Sequence, residues 1–278
     1  MNLLFSINQK CVSLLQTCLQ SIALQGGNTV YHVYVFHSDL TEEDIMAIRQ
    51  LDLDGMSYQF IALPKNMFAD FPVTKRYPEQ IYYRLAAPFL LPEQLDRILY
   101  LDVDLIVINS LLPLYKSDFG DNWFMACTHT GEYLTRLNRI RLGLDPDQEV
   151  PYINTGVLLI NLSALRVHTS LEAIRQYAAD RQNVLLLPDQ DILTALYGDK
   201  VKLLDSMIYN LSDRILKLYN ADPRNEKIDL AWVRKNSVII HYFGRNKPWH
   251  DVYAGILDVF YRETLETLQA RNGRRTNP

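Results

Sequence analysis

The sequence is poor in cysteine and has no long hydrophobic run. Its three cysteines form no C-x-x-C pair and are odd in number, which argues against a disulfide framework and a cysteine zinc cluster and fits a reducing compartment. The apolar opening, residues 3–7, is interrupted before it reaches the length of a signal-peptide core, and no other run is long enough to span a membrane. We therefore expect a cytoplasmic protein without a transmembrane segment.

The chain also has no excess of positive charge. The 278 residues carry a net charge of −4 and have a pI near 5.9, so nothing in the overall charge predicts nucleic-acid binding, and any phosphate site must be local. Hydrophobic residues make up 48% and charged residues 22%, which is typical of a folded protein with a substantial core. We expect one α/β domain over residues 1–250 and a C-terminal helix and tail over residues 251–278.

Strand-like and helix-like segments alternate along the first hundred residues. Strands are predicted near 3–7, 31–36 and 57–63, helices near 11–24, 41–51 and 80–90, and a fourth strand ends at Asp102. Alternation of this kind predicts a Rossmann-like, mostly parallel, twisted sheet flanked by helices.

The second half of the chain has weaker periodicity. We predict strands near 124–128, 152–160 and 238–240 and helices near 171–179, 190–196 and 252–270, the second of these helices being capped by Gly198. The polar stretch 129–151 contains two glycines and an Asp-Pro pair. We predict that it forms a loop that covers the substrate.

Two aspartates interrupt an apolar, β-branched run. Asp102 and Asp104 lie two residues apart in the segment RILYLDVDLIVI, so on a strand they point to the same face. An ionised carboxylate is costly to bury unless a cation or hydrogen-bond donors neutralise it. A divalent metal suits oxygen ligands and keeps coordination sites open for a diphosphate. The sequence therefore predicts a metal site where this strand ends.

The same spacing of acids occurs twice more, at residues 52–54 and 189–191, so spacing alone proves little. The first pair follows a helical pattern and precedes Gly55, which is typical of a helix exit and a turn. Asp102 and Asp104 differ because they end a strand, and ligand-binding groups of open α/β sheets gather at the carboxyl ends of strands. A solvated strand end remains the structural alternative for this pair.

A second notable motif lies near the C-terminus, where the segment HYFGRNKPW runs from His241 to Trp249. It joins an imidazole, a glycine that permits close backbone approach, and a lysine that can reach a phosphate. A single histidine at a strand end is usually a hydrogen-bonded structural residue, and Lys247 alone would be a solvated charge. Together with the two aspartates, these residues favour a site for a metal and a phosphate group.

Six ordered motifs that span nearly the whole chain resemble those of glycosyltransferase family 8. They are LFSI at 4–7, YYRL at 82–85, YLDVD at 100–104, NTGVLLIN at 154–161, PDQD at 188–191 and the segment 241–249. The family comprises retaining enzymes with a GT-A fold and includes bacterial lipooligosaccharide galactosyltransferases and glycogenin. The resemblance implies transfer of galactose or glucose from a UDP-sugar to a hydroxyl of a glycan or lipid-linked acceptor, in lipopolysaccharide or polysaccharide synthesis.

The resemblance also implies the ligands. Mn²⁺ would be held by Asp102, Asp104 and His241, a donor set that suits Mn²⁺ better than Mg²⁺, the second choice, because Mg²⁺ strongly prefers oxygen. Lys247 and the amide of Gly244 would contact the diphosphate and stabilise the leaving group. Asp189 and Gln190 would be the catalytic candidates. The residues that would contact the nucleotide sugar, besides Gly244 and Lys247, are Ser6, Ile7, Asn8, Arg84, Asp102, Val103, Asn154, Asp189 and Gln190.

Several of these residues have an ordinary structural interpretation as well. Asp189 could be a helix N-cap, Gln190 a first-turn helix residue, Arg84 a surface ion pair and Asn154 a turn residue. The segment 8–10 departs from the family, whose members commonly carry an acidic residue and an asparagine after the first strand. We therefore expect uridine contacts there to involve backbone groups of residues 6–8.

Two mechanisms and two other functions remain open. A front-face displacement, in which the leaving phosphate accepts the proton of the acceptor, is favoured over a covalent step because the amide of Gln190 is a poor nucleophile. A phosphatase of the haloacid dehalogenase type would use Asp102 as nucleophile and Asp104 as acid, although that family places this motif on its first strand. A sugar-nucleotide-binding protein without transfer activity is the second alternative.

The predicted terminal helix presents apolar residues on one face, including Tyr253, Phe260 and Leu268, and is followed by the basic segment 271–275. This face could contact a membrane that carries a lipid-linked acceptor. We favour core packing or a subunit contact, because acidic residues dilute the basic character that anionic lipids attract. The oligomeric state stays open.

Overall fold

A seven-stranded sheet forms the centre of the computed structural model, which describes residues 1–64, 66–74 and 78–276 and side chains up to residue 273. The strands of the described residues are β1 Asn2–Ser6, β2 Tyr31–His37, β3 Met56–Ala62, β4 Arg97–Leu101, β5 Leu105–Val107, β6 Phe124–Cys127, β7 Asn154–Asn161, β8 Val201–Leu203 and β9 Ile239–His241. The order in the large sheet is β3-β2-β1-β4-β7-β6-β8, while β5 and β9 form a separate small sheet.

The large sheet is parallel except for one strand. Strands β3, β2, β1 and β4 pair in parallel, as do β6 and β8, whereas β7 runs antiparallel to both of its neighbours, β4 and β6. The predicted mostly parallel α/β sheet flanked by helices is therefore confirmed. Because β7 is reversed, its amino end lies beside the carboxyl end of β4.

Helices cover both faces of the sheet. The α-helices are α1 Val12–Gly26, α2 Glu42–Arg49, α3 Ala87–Leu90, α4 Leu112–Tyr115, α5 Glu132–Leu142, α6 Leu162–His168, α7 Leu171–Arg181, α8 Pro188–Tyr197, α9 Ser206–Tyr209, α10 Asp213–Ala221, α11 Leu230–Asn236 and α12 Asp258–Thr276. Three 3-10 helices occupy Gln9–Cys11, Glu79–Ala86 and Gly198–Lys200.

The first half of the chain follows the predicted alternation closely. The predicted helix at 80–90 is instead a 3-10 helix followed by the single α-turn of α3. Pro88 lies in the first turn of α3 and has no backbone N–H to donate, so an α-helix can begin there but cannot run through it. The acids at 52–54 do lie at a helix exit and turn, with Asp52 at a φ of 46°.

The prediction of a loop over residues 129–151 is wrong for about half of this segment, because α5 forms there. The helix ends at Gly143, whose φ of 75° is the left-handed conformation that ends many helices. Its buried Arg139 donates to the carbonyl groups of Val150 and Pro146 at 2.7 and 3.0 Å and so fixes the segment that follows the helix. Four apolar side chains of α5 are exposed: Tyr133, Leu134, Leu137 and Ile140.

Two other predictions hold in part. Gly198 is the C-cap of α8, as predicted, but its φ of −63° is right-handed and a 3-10 helix continues from it. A glycine is needed there for space, since an added Cβ would overlap the side chain of Val150. The terminal helix begins at Asp258 rather than near residue 252, because residues 252–257 are irregular.

The terminal helix packs on the domain rather than facing outward. Leu257, Phe260 and Leu268 are buried, and the helix lies against α1 and β5. Arg271 donates to the backbone carbonyl groups of Leu51 and Asp52 at 3.2 and 2.6 Å. Core packing of this face is therefore confirmed. The division of the chain at residue 250 stays a prediction, and the side chains of residues 274 and 275 lie outside the described part.

No helix among the described residues combines the length and the hydrophobicity that a membrane span requires. This agrees with the absence of long apolar runs in the sequence. The cytoplasmic location stays a prediction.

Replacing Leu268 by alanine tests how firmly the terminal helix is joined to the domain. The side chain is 6% exposed and belongs to the same core as α1 and β1. Leu268→Ala should lower the free energy of unfolding by about 2–4 kcal/mol, as for other buried leucines. The neighbouring exposed Gln269→Ala should change it by less than about 0.5 kcal/mol. Equal effects of the two variants in denaturant titrations would contradict a packed helix.

Candidate functional site

A cleft of about 830 Å³ opens where β1 and β4 end and β7 begins. It is large enough for a nucleotide-sized ligand. The structure brings together at this cleft every residue that the sequence analysis assigned to the site: Ser6, Ile7, Asn8, Arg84, Asp102, Val103, Asp104, Asn154, Asp189, Gln190, His241, Gly244 and Lys247.

Asp102 directly follows β4 and is held on three sides. Its N–H donates to the carbonyl of Gly156 at 2.8 Å, which continues the pairing with β7. Its Oδ1 accepts from the guanidinium of Arg84 at 3.0 Å and from the hydroxyl of Tyr100 at 2.8 Å. The other oxygen, Oδ2, points toward His241, with 3.8 Å between it and Nε2.

Asp104 lies between two groups from the C-terminal segment. Its Oδ1 is 3.0 Å from Nε2 of His241, and its Oδ2 contacts the amine of Lys247, which also donates to the carbonyl of Tyr242 at 2.7 Å. Burial alone would raise the pKa of Asp104, but His241 and Lys247 outweigh that effect and hold the pKa well below its usual range. The carboxylate is therefore ionised at neutral pH.

Asn210 orients the imidazole of His241. Its Oδ1 lies 2.8 Å from Nδ1 of His241, and its Nδ2 donates to Oδ1 of Asn154 at 2.9 Å. Since the amide nitrogen is used by Asn154, the oxygen must face the ring, and Nδ1 must carry the proton. With Nδ1 as the donor to Asn210, Nε2 is the ring atom that a bound cation would engage, in place of its contact with Oδ1 of Asp104.

Gly156 lets the start of β7 approach the two aspartates and the histidine. An added Cβ at this position would overlap the imidazole of His241 and lie 2.8 Å from Oδ2 of Asp102. Ligand atoms of Asp102, Asp104 and His241 all lie within 4.8 Å of one another. Two carboxylates and one imidazole, with no room for a side chain at position 156 beside them, form a candidate metal centre, and this donor set fits Mn²⁺.

Arg84 connects the aspartates with the start of α8. Its guanidinium lies over the ring of Tyr100 at 4.2 Å, donates to the carbonyl of Thr155 at 2.6 Å and is 3.4 Å from Oδ2 of Asp189. Burial would lower the pKa of Arg84, but Asp102 and other neighbours outweigh it and raise the pKa. The alternative of a surface ion pair is wrong, because Arg84 is 7% exposed.

Asp189 is not the N-cap of α8. Helix α8 begins at Pro188, its N-cap residue is Leu187, and that cap has no side-chain hydrogen bond. The carboxylate of Asp189 instead accepts from the hydroxyl of Thr155 at 2.6 Å beside Arg84. Burial raises the pKa of Asp189, although Arg84 acts in the opposite direction.

Asp191, the other acid of the PDQD motif, holds the segment before α8 in place through hydrogen bonds. It accepts from the N–H groups of Leu186 and Leu187 at 2.6 and 3.1 Å and from the hydroxyl of Tyr152 at 2.7 Å. It also pairs with Arg141 of α5 at 2.7 Å. Of the two acids in this motif, only Asp189 lines the cleft.

Asn154 of β7 and Gln190 of α8 are hydrogen-bonded to each other at the cleft. Nδ2 of Asn154 donates to Oε1 of Gln190 at 3.2 Å, while Oδ1 of Asn154 accepts from the N–H of Gly156 at 3.1 Å. The bond to Gly156 is the local turn contact that the sequence suggested for Asn154. Its amide is at the same time in place to orient Gln190 at the cleft.

The cleft also contains residues that were not predicted from the sequence. His129 lies two residues after the end of β6, donates from Nε2 to the carbonyl of Asn210 at 3.2 Å and stacks on Phe243 with ring centres 4.4 Å apart. Burial, with a smaller effect of His241, lowers the pKa of His129 to about 3, so it is neutral. Its position after a predicted strand could have identified it, whereas nothing in the sequence indicated Arg214, which also lines the cleft.

Three buried polar atoms of cleft residues have no hydrogen-bond partner among the described residues. They are Oγ of Ser6, Oδ1 of Asn8 and Nδ1 of His129. Ser6 ends β1 and Asn8 follows it, so these two atoms lie at one end of the cleft, and His129 lies beyond β7 at the other. Buried polar atoms are costly without a partner, and those that line a cleft can be satisfied by a ligand.

Comparison with known proteins identifies relatives that transfer sugars. The family model for glycosyl transferase family 8 matches residues 2–253. A lipopolysaccharide 1,2-glucosyltransferase of Escherichia coli is 29% identical over 240 residues, which cover 83% of this chain and 68% of that one. A lipopolysaccharide 1,3-galactosyltransferase of Salmonella typhimurium is 26% identical over 188 residues, which cover 64% of this chain and 52% of that one.

Solved structures agree with the family model. The crystal structure of the galactosyltransferase LgtC in complex with donor and acceptor sugar analogs has a TM-score of 0.81 at 26% identity and covers 96% of both chains. LgtC has a GT-A fold, so the predicted fold class is confirmed. The phosphatase alternative is wrong, because Asp102 follows the fourth strand of such a sheet rather than the first. The match over residues 2–253 shows that the chain belongs to glycosyl transferase family 8 and is a glycosyltransferase.

Proposed function

We propose that this protein transfers a hexose, glucose or galactose, from a UDP-sugar to a hydroxyl of an acceptor glycan, with retention of configuration and with Mn²⁺ as cofactor. The observation that carries the proposal is the convergence of Asp102, Asp104 and His241, with Lys247 beside them, at one cleft of nucleotide-sugar size. The lipopolysaccharide glucosyl- and galactosyltransferases among its relatives support an acceptor in cell-surface glycan synthesis.

The nucleoside would lie at the end of β1. Oγ of Ser6 and Oδ1 of Asn8 are buried without a protein partner among the described residues, and Ile7 is buried between them. A ligand that presents N–H and O–H donors would satisfy both atoms, and uracil and ribose do so. Members of the family commonly carry an acidic residue near this point. Asn8 of this chain also offers an oxygen acceptor, but it is neutral and adds no charge.

Asp102, Asp104 and His241 would hold the cation, and Lys247 and the N–H of Gly244 would contact the diphosphate. The bound cation supplies charge stabilisation to the departing diphosphate. Lys247 contacts Asp104, so its amine lies beside the point where the cation and the diphosphate would meet. Gly244 has a φ of 85°, which turns the backbone sharply at this point and favours a glycine.

Arg84, Asn154, Asp189 and Gln190 would surround the donor sugar. Asp189 is held by Thr155 and Arg84, so its carboxylate is an acceptor for sugar hydroxyl groups rather than a free nucleophile. Gln190 is oriented by Asn154 and presents its amide to the cleft. Neither residue supplies the mobile anionic nucleophile that a covalent intermediate needs.

The reaction is then a front-face displacement. The bond between the anomeric carbon and the UDP oxygen breaks, and a bond from the acceptor oxygen to the same carbon forms on the same face. The acceptor hydroxyl gives its proton to the departing phosphate oxygen, so no protein base is consumed. The amide of Gln190 lies on the sugar side of the cleft and stabilises the positive charge that develops at the anomeric carbon through its carbonyl oxygen.

Thermal unfolding with nucleotides and metals tests the donor and the cofactor. UDP with Mn²⁺ should raise the stability by about 2–3 kcal/mol at a hundredfold excess over Kd, since ligands that bind the folded state stabilise it by mass action. GDP with Mn²⁺ should have less effect. Asp104→Asn should abolish the shift, whereas the matched control Asp54→Asn, from the acid pair at 52–54 outside the cleft, should retain it.

A matching activity assay measures UDP release and sugar transfer from UDP-glucose and UDP-galactose. Activity with Mg²⁺ and none with Mn²⁺ would contradict the metal assignment. Donor binding without release of UDP across a panel of sugars and acceptors would favour the alternative of a binding protein without transfer activity.

Asn210 is proposed as the residue that positions His241, and its effect on metal affinity can be measured directly. Asn210→Ala should weaken Mn²⁺ binding about 10- to 100-fold, the usual cost of losing a hydrogen bond to a ligating histidine. Asn210→Asp keeps an acceptor for Nδ1 and should restore part of the affinity. Electron paramagnetic resonance of free Mn²⁺ gives the affinity without an activity assay. Unchanged Mn²⁺ affinity in Asn210→Ala would contradict this role.

Gln190→Ala tests the displacement mechanism. Turnover should fall roughly 10- to 100-fold without being abolished, because the residue orients and stabilises but forms no covalent bond. The control is Gln176→Ala on α7, whose side chain bonds to Asp180 outside the cleft. Complete loss of turnover with intact donor binding would instead indicate that Gln190 takes part in a covalent step.

A further inference from the structure

Two arginines at the cleft have no counter-charge. Arg214 lies in the first turn of α10 and Arg245 follows Gly244, and both side chains are exposed. Within the described residues neither makes an ion pair or a side-chain hydrogen bond. The other two cationic side chains of the cleft do form ion pairs. Arg84 pairs with both Asp102 and Asp189, and Lys247 pairs with Asp104.

The lining of the cleft keeps an excess of positive charge when the proposed donor is bound. The described lining of the cleft contains four cationic side chains, those of Arg84, Arg214, Arg245 and Lys247, and three carboxylates, those of Asp102, Asp104 and Asp189. A divalent cation and the diphosphate of a nucleotide sugar balance each other, so binding the donor with its metal does not neutralise the excess. A cleft with surplus positive charge in a chain of net charge −4 indicates a further anionic ligand.

The position of Arg214 separates it from the nucleoside. In the sheet, β1 lies on one side of β4, and β7 followed by β6 lies on the other. Ser6 and Asn8 are at the end of β1, whereas His129 follows β6, donates to the carbonyl of Asn210, four residues before Arg214, and lines the same cleft as Arg214. Arg214 therefore lies on the far side of the candidate metal centre from the nucleoside end, where the cleft must admit the second substrate.

We infer that Arg214, assisted by Arg245, forms a subsite for a negatively charged group on the acceptor, so that the preferred acceptor is an acidic saccharide carrying a phosphate or a carboxylate. Arginine suits this role because its planar fork binds either group with two hydrogen bonds and stays charged at any physiological pH. Nδ1 of His129, buried and without a partner among the described residues, can accept a hydrogen bond from a neighbouring hydroxyl of the same sugar. The inference rests on the proposed function.

Binding of small acidic and neutral sugars tests the subsite. The full chain is first saturated with Mn²⁺ and UDP, which fills the diphosphate site, and is then titrated with glucose, glucose 6-phosphate, glucuronate and inorganic phosphate in a calorimeter. Glucose 6-phosphate or glucuronate should bind about tenfold tighter than glucose, the effect of one charge-assisted contact at an open site. The difference should shrink as salt is raised. Tighter binding of glucose 6-phosphate than of glucuronate would identify phosphate as the preferred group, and the reverse order would identify carboxylate.

Variants assign the preference to the arginines. Arg214→Ala should remove most of the difference between the acidic sugar and glucose, Arg214→Lys should keep part of it, and Arg245→Ala should reduce it. The control Lys217→Ala removes a positive charge from the same helix, where the amine bonds to the carbonyl of Ala254 outside the cleft, and should change nothing. UDP affinity is measured in each sample.

The outcomes separate this inference from the proposed function. Equal binding of acidic and neutral sugars to the UDP-loaded protein would overturn the subsite and leave the transfer function standing. A preference that survives in Arg214→Ala and Arg245→Ala, or a fall in UDP affinity in Arg214→Ala as large as the fall in acidic-sugar affinity, would also overturn it. Failure of the unaltered chain to bind UDP with Mn²⁺ would overturn the proposed function first.

Discussion

The two carboxylates at the end of β4 impose the main constraint on this molecule. Asp102 and Asp104 leave the sheet side by side, largely shielded from water, and each needs positive charge. The chain supplies it from distant segments, with Arg84 beside Asp102 and with His241 and Lys247 beside Asp104. These ion pairs join three parts of the sequence at one edge of the sheet, and the cleft is the space that remains between them.

The reversed strand β7 gives the site its second wall. In a sheet that was parallel throughout, only the carboxyl ends of the strands would meet at this edge. Because β7 is reversed, its amino-terminal residues lie beside the carboxyl end of β4. Asn154, Thr155 and Gly156 therefore face the aspartates with backbone and short side chains. A glycine at the third position keeps the strand close to His241 without steric overlap. The NTG motif thus owes its importance to the direction of the strand that carries it.

Much of the fold and site could be predicted from the sequence, and the rest fails for physical reasons. Periodicity identified the first four strands, and the ordered motifs identified every cleft residue assigned to donor and metal. Helix α5 was missed because arginines and exposed apolar residues blur its pattern, and Arg139 is buried through hydrogen bonds that no local rule predicts. Asn210 was missed because its role depends on two partners, His241 and Asn154, that are distant in sequence.

The small sheet of β5 and β9 determines how accurately the imidazole faces the acids. Leu105, next to Asp104, pairs with His241 itself, and the ladder contains only three residue pairs, with α12 packed behind β5. A slip of one residue would turn the imidazole to the opposite face. The packing of the C-terminal helix behind β5 therefore helps to fix the distances within the candidate metal centre, so a change in that packing would shift the imidazole relative to the aspartates while leaving all three side chains in the sequence.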